Sequence, residues 1–216
     1  MSYSAAIRHL KKSDPVMRRI ITRLGKCELS LELEDDRNPF GTLADAIIYQ
    51  QLAYAAAKTI AGRFREIYAT NSSRPRLPRP AELLATPLSR LRKAGLSRQK
   101  ASYLFDLAQK AESRELCLHG LRKMSDEEVV ANLTQVKGIG RWTAEMFLIF
   151  SLGRLDVLPV GDLGVQYGFK DAYGMRKLPK PERMERIAEP WRPFRTVGTW
   201  YLWRLRREAL GIKPNR

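Results

Sequence analysis

Apolar residues in this chain recur at three- and four-residue spacing and nowhere sustain the alternation of a half-buried strand, which restricts it to helices. Ile7 and Leu10, then Val16, Ile20, Ile21 and Leu24, mark two helices over residues 4–12 and 14–25. Asp14 ahead of Pro15 opens the second, an acid cap before a proline at an early helical position. Leu43, Ala44, Ile47 and Ile48 form the apolar side of a helix from Phe40 to Gln50. Ala56, Ile60, Phe64 and Ile67 do the same for one from Tyr54 towards Tyr68. Two short helices follow over 80–86 and 88–94. Ser97 caps a longer one reaching about Glu112, with Ala101, Leu104, Phe105 and Ala108 inward. Ser125-Asp126-Glu127-Glu128 is a capping box that opens a helix ending near Val136. The polar, acidic residues 26–39 and the proline- and serine-rich residues 71–80 read as connections. The expected fold class is all-α.

With 216 residues, 44% of them hydrophobic, the chain suits one domain or two small lobes. Its 39 Lys and Arg against 23 Asp and Glu leave a net charge of +16, which favours a polyanionic partner. The positive residues are spread over many segments with no amphipathic basic anchor, so nucleic acid is the better match than a membrane surface. Cys27 and Cys117 are the only cysteines, too few for a disulfide framework and without metal-ligand spacing. The first residues lack an apolar signal core, and the most apolar run, Met146 to Leu152, is too short to span a bilayer, so the expectation is an intracellular protein.

The stretch from Leu133 to Gln166 carries the chemistry. Gly138 and Gly140 form a Gly-x-Gly turn that lets backbone approach a ligand closely, and the helix starting near Arg141 offers unpaired N–H groups to an anion. The same glycines equally serve to end one helix and begin another. Asp162 sits between Gly161 and Leu163 in the pattern of a helix cap, which alone would justify an acid there.

Lys137-Gly138-Ile139-Gly140-Arg141-Trp142-Thr143-Ala144 and Val160-Gly161-Asp162 together resemble the helix-hairpin-helix, Gly/Pro...Asp superfamily of DNA glycosylases. Within it they are similar to the alkylation-repair branch, the 3-methyladenine DNA glycosylase II family. The likeness extends to residues 40–64 and 191–204. It implies a single glycosylase unit over 1–216 with two helical lobes and an interlobe active-site cleft. Residues 40–152 would form a central lobe containing the helix-hairpin-helix at about 125–152, and 1–39 plus 153–216 a second lobe carrying the catalytic Asp.

The resemblance implies that Asp162, 22 positions after Gly140, is the catalytic aspartate, stabilising an oxocarbenium-like sugar and orienting or deprotonating water. Trp142, Met146 and Trp203 would form the base pocket. Leu52 would be the wedge that fills the gap left by an extruded nucleotide, because an apolar side chain replaces stacking without demanding hydrogen bonds. Gln51, Lys137, Gly138, Gly140, Arg141 and Thr143 would bind DNA. Carbonyls of Thr134, Val136 and Gly138 would hold a monovalent Na+ or K+, with no cofactor required for the reaction. Two departures stand out: Ala53 replaces a polar groove-reading residue of some relatives, and Met146 a tyrosine.

The implied activity is that of a monofunctional base-excision glycosylase releasing 3-methyladenine and 7-methylguanine from duplex DNA, acting as a monomer in a nucleoid, cytoplasm or nucleus. Trp142 stands where bifunctional members place a Schiff-base lysine, and two cysteines cannot supply a four-cysteine iron–sulfur cluster. The competing reading is a non-catalytic helix-hairpin-helix DNA-binding module in which Asp162 is only a cap.

Overall fold

The computed structural model describes residues 3–29, 38–69 and 74–212. The centre of the acidic connection, 30–37, and the first part of the serine-proline loop, 71–73, lie outside the described residues. In chain order the helices are α1 (Ser4–Ser13), α2 (Pro15–Leu24), α3 (Pro39–Tyr49), α4 (Tyr54–Glu66), α5 (Pro80–Leu84), α6 (Leu88–Lys93), α7 (Arg98–Glu112), α8 (Asp126–Leu133), α9 (Arg141–Phe150), α10 (Leu163–Ala172), α11 (Pro181–Ala188) and α12 (Arg195–Ala209). No strand occurs among the described residues, and none of the helices is long and apolar enough to cross a membrane. The chain divides into two compact units, Met1–Glu32 with Leu148–Arg216, and Leu33–Phe147. The division falls within α9 because Phe150 already packs on the core of the first unit.

That first unit is built on α2, α10 and α12. Leu10, Met17, Ile21, Phe169, Tyr201 and Leu202 are buried together, with Trp191 stacked on Phe169 at a centroid distance of 5.3 Å. Contact between α10 and α12 is close enough that a Cβ at Gly168 would lie 2.8 Å from the Leu202 carbonyl oxygen, so only glycine fits. Asp14 caps α2 as expected, its Oδ1 accepting from the Val16 and Met17 N–H groups. Its Oδ2 accepts from Tyr173 Oη at 2.5 Å and Trp191 Nε1 at 2.9 Å, so this buried carboxylate is satisfied on both oxygens. Burial, reinforced by the bond to Asp14, pushes the Tyr173 phenol far above the ordinary tyrosine range.

In the second unit α3 packs on α4 and α7, and α5 on α7. The inward row of α4 is Ala57, Ala61 and Phe64, not the expected Ala56, Ile60 and Ile67: Ala56 is exposed and the isoleucines are half-buried. Small alanines allow close helix contact but carry little hydrophobic signal, so the isoleucines misplaced the stripe by one residue. On α7 the core residue alongside Ala101, Leu104 and Ala108 is Leu107, and Phe105 is only half-buried. The Ser97 and Ser125 caps form as expected, the latter as a full capping box with Glu128. The α8 helix stops at Leu133, where the Thr134 hydroxyl turns back onto the Val130 carbonyl at 2.8 Å.

Candidate active site

The helical hairpin is made of α8, the turn 134–140 and α9. Val136 and Ile139 are buried and hold the turn on the core, linked by the Ile139 N–H to the Val136 carbonyl at 3.0 Å. Gly138 has φ +82°, and a Cβ there would lie 2.2 Å from Tyr103 Cδ2, so the turn needs glycine twice over. Gly140 differs: its φ is ordinary and nothing lies within 4 Å of where its Cβ would be. The fold does not require that glycine, which leaves the start of α9 bare.

Asp106 on α7 fastens the turn from beneath. Its Oδ2 accepts the Lys137 N–H at 2.8 Å, Lys110 pairs with it at 3.0 Å, and the Lys137 ammonium stands 3.7 Å away. Burial raises the Asp106 carboxyl, but the N–H of Lys137 and the two ammonium groups outweigh it and hold the group below the ordinary carboxylate range. Arg141, expected to grip phosphate, is engaged internally. Its guanidinium forks onto Glu127 at 2.7 and 3.1 Å, and its Nε donates to the buried Glu145 at 3.1 Å. Glu127 is largely exposed, so its pairing is of the weak surface kind that an incoming anion can displace.

Gln51, with φ +55°, and the exposed Leu52 lie between α3 and α4. Gln50 before them extends its amide to the Gly138 carbonyl at 2.9 Å and the Thr143 hydroxyl at 3.3 Å. Thr143, expected to face DNA, is therefore buried on α9 with its hydroxyl turned to Gln50. Trp142 is 46% exposed, and Met146, one turn further along α9, is half-buried.

In the other unit Asp162 is the N-cap of α10. Its Oδ1 accepts the Val165 N–H at 2.8 Å and the Trp203 Nε1–H at 2.8 Å. The Trp203 ring stacks on Phe150 at 6.0 Å and 16°. The expectation for Trp203 was a pocket wall; the structure adds a direct hold on the carboxylate. Asp162 and Trp203 are separated by 41 residues, and no local pattern links them. Lys100, a residue that the sequence alone did not single out, places its ammonium on the backbone carbonyls of Ile48, at the end of α3, and of Gln50, just after it.

A glycine-turned helical hairpin, followed by an aspartate that caps a helix, is the pattern of a known repair family. The family described as HhH-GPD superfamily base excision DNA repair protein matches residues 44–193, and the chain belongs to it. The alkylbase DNA glycosidase-like protein mag2 of Schizosaccharomyces pombe is 31% identical over 94% of this chain and 93% of its own. DNA-3-methyladenine glycosylase 1 of the same organism is 34% identical over 96% and 90%. Among solved structures, the S. pombe 3-methyladenine DNA glycosylase Mag1 in complex with abasic DNA superposes with a TM-score of 0.79 at 32% identity, covering 98% of this chain and 100% of that one. A DNA-3-methyladenine glycosidase from Bacillus halodurans gives a TM-score of 0.83 at 33% identity, covering 98% and 94%. Within the superfamily these likenesses fall in the alkylation-repair branch.

Proposed function

We propose that the protein is a monofunctional DNA glycosylase that removes alkylated purines, chiefly 3-methyladenine and 7-methylguanine, from duplex DNA, and that it works as a monomer. The observation that carries this reading is the Asp162 carboxylate, held on Oδ1 by Val165 N–H and Trp203 Nε1. Placed at the sugar, a fixed carboxylate stabilises the cationic charge that develops as the N-glycosidic bond breaks. The bonding electron pair leaves with the base. A purine methylated on a ring nitrogen is already cationic, so it departs neutral and needs no acid. Water then attacks C1′ and gives up its proton to Asp162 or solvent, leaving an abasic site.

Trp142 offers the aromatic face for the cationic base, an attraction of about 2 kcal/mol once desolvated, with Met146 beside it on the same helix face. Leu52 is the wedge that takes the place of the extruded nucleotide. Gln51, Lys137, Arg141 and the N–H groups of Gly138 and Gly140 bind the backbone, Arg141 by exchanging Glu127 for phosphate. Thr143 supports that surface through Gln50. The carbonyls of Thr134, Val136 and Gly138 are hard oxygen donors suited to a monovalent cation. Val136 accepts the Ile139 N–H and Gly138 the Gln50 amide, and each carbonyl oxygen has two lone pairs to offer. Such an ion would add positive charge on the phosphate side of the turn.

No lysine stands at position 142, so no Schiff base is expected on abasic DNA. The test is a duplex bearing one 7-methylguanine. Strand breaks are expected only after alkali, and borohydride is expected to trap no covalent complex. Breaks without alkali, or a trapped complex, overturn the monofunctional reading. The part played by Trp203 is separable as well. Trp203→Phe keeps a ring against Phe150 but removes the N–H donor, and should lower the single-turnover rate roughly ten- to hundredfold. That corresponds to a charge-assisted hydrogen bond of about 1.5–3 kcal/mol. Affinity for abasic duplex should stay within about twofold, a difference of roughly 0.4 kcal/mol. An unchanged rate would leave Trp203 with a packing role alone.

A further inference from the structure

The connector between α3 and α4 is poorly held by packing. Gln51 and Leu52 border an open cavity of about 350 Å³, shared with Ser97, Lys100, Tyr103 and Gly138. Gln51 also bears a side chain in the left-handed region, at φ +55°, a conformation that does not persist unless its surroundings impose it. Lys100 holds the carbonyl of Gln50, the residue just before Gln51. Lys100 is half-buried on α7, one turn before Leu104, and its Nζ donates to the Ile48 carbonyl at 2.5 Å and the Gln50 carbonyl at 2.6 Å. These oxygens belong to the end of α3, where carbonyls have lost their intrahelical partners. From the same point the Gln50 amide reaches the Gly138 carbonyl and the Thr143 hydroxyl. One ammonium and one amide thus tie the connector both to α7 and to the glycine turn.

We propose that Lys100 is a positioning residue for base extrusion: it fixes the end of α3 so that Leu52 projects from the connector, while Gln50 keys that connector to the hairpin turn. The proposal deepens the reading above and rests on it in one respect, that Leu52 enters the duplex. Lys100 touches neither base nor sugar in this role and acts only through Leu52. Burial pushes its ammonium below the ordinary lysine range.

The test is a double-mutant cycle on the full chain. The probe is a duplex with a tetrahydrofuran abasic analogue and 2-aminopurine as its neighbour, compared with the undamaged duplex. Lys100→Met should lower the preference for abasic over undamaged duplex about tenfold and suppress the 2-aminopurine signal of wedge insertion. Binding to undamaged duplex should stay within about twofold. Leu52→Ala should give a similar loss, and the double variant no further loss, because two residues acting through one step are not additive. If Lys100→Met does not fold, the cycle is run with Lys100→Gln, which retains a donor for one carbonyl. Independent, multiplying losses at the two positions, or an unchanged preference at Lys100, overturn the proposal. Abasic preference without release of any methylated base by the unsubstituted protein would instead sink the glycosylase reading and leave Lys100 in place.

Discussion

Asp162→Asn should abolish most base release while the melting temperature stays near that of the unsubstituted protein. The separation is possible because the observed cap and the proposed catalytic role differ in what they need from the aspartate. As a cap it must accept the Val165 N–H, and it also accepts the Trp203 indole N–H; an asparagine Oδ1 can accept both. As a catalytic group it must carry a negative charge, which asparagine lacks. General-base and electrostatic assistance of this kind accounts for about 10²–10⁴-fold in rate, so single-turnover release should fall by that order. Capping by asparagine is equivalent within a few tenths of a kcal/mol, and unfolding followed by circular dichroism should move by about one degree or less. A variant that melts normally and still releases base at the original rate removes Asp162 from the chemistry.

Exchanging each glycine of the hairpin for alanine should give opposite results at the two positions. Gly138→Ala forces a Cβ into a left-handed residue, costing about 1–2 kcal/mol for the backbone alone. It also places that Cβ 2.2 Å from Tyr103 Cδ2, so the ring must shift. At roughly 2–4 °C per kcal/mol for a chain of this size, the melting temperature should drop by several degrees. Gly140→Ala meets nothing and needs no unusual φ, so thermal stability should be unchanged. Its effect should appear only against DNA, where a methyl group on the approach face weakens binding about tenfold, the loss of one charge-assisted N–H contact of about 1.5 kcal/mol. Equal effects of the two substitutions on stability would contradict the division between a glycine kept for the turn and one kept for the ligand.

What could be read from the sequence was what local chemistry dictates. Caps at Asp14, Ser97, Ser125 and Asp162 were legible because each needs only a short polar side chain and the next turn of backbone. The all-helical class followed from periodicity, and the family from the Gly138-x-Gly140 turn and Asp162. The phase of α4 was not legible, because its contacts are made by Ala57 and Ala61 while the isoleucines attract the eye. The partners of Arg141 were half-legible: Glu145 is one turn ahead on the same helix, whereas Glu127 comes from the preceding one. The Trp203–Asp162 bond depends on α12 lying against α10, a tertiary fact with no sequence signature. Lys100 left a usable trace, since a lysine on the apolar stripe of Leu104, Leu107 and Ala108 needs an acceptor on the inside.

The central claim is that this carboxylate performs hydrolysis and does not merely close a helix. The most direct measurement is chromatographic: duplex DNA methylated with a simple alkylating agent is incubated with excess protein, and the free purines are identified and timed. The account predicts free 3-methyladenine and 7-methylguanine from the unsubstituted protein, and release slowed by about 10²-fold or more with Asp162→Asn. Tight binding to the same DNA with no purine set free would contradict it.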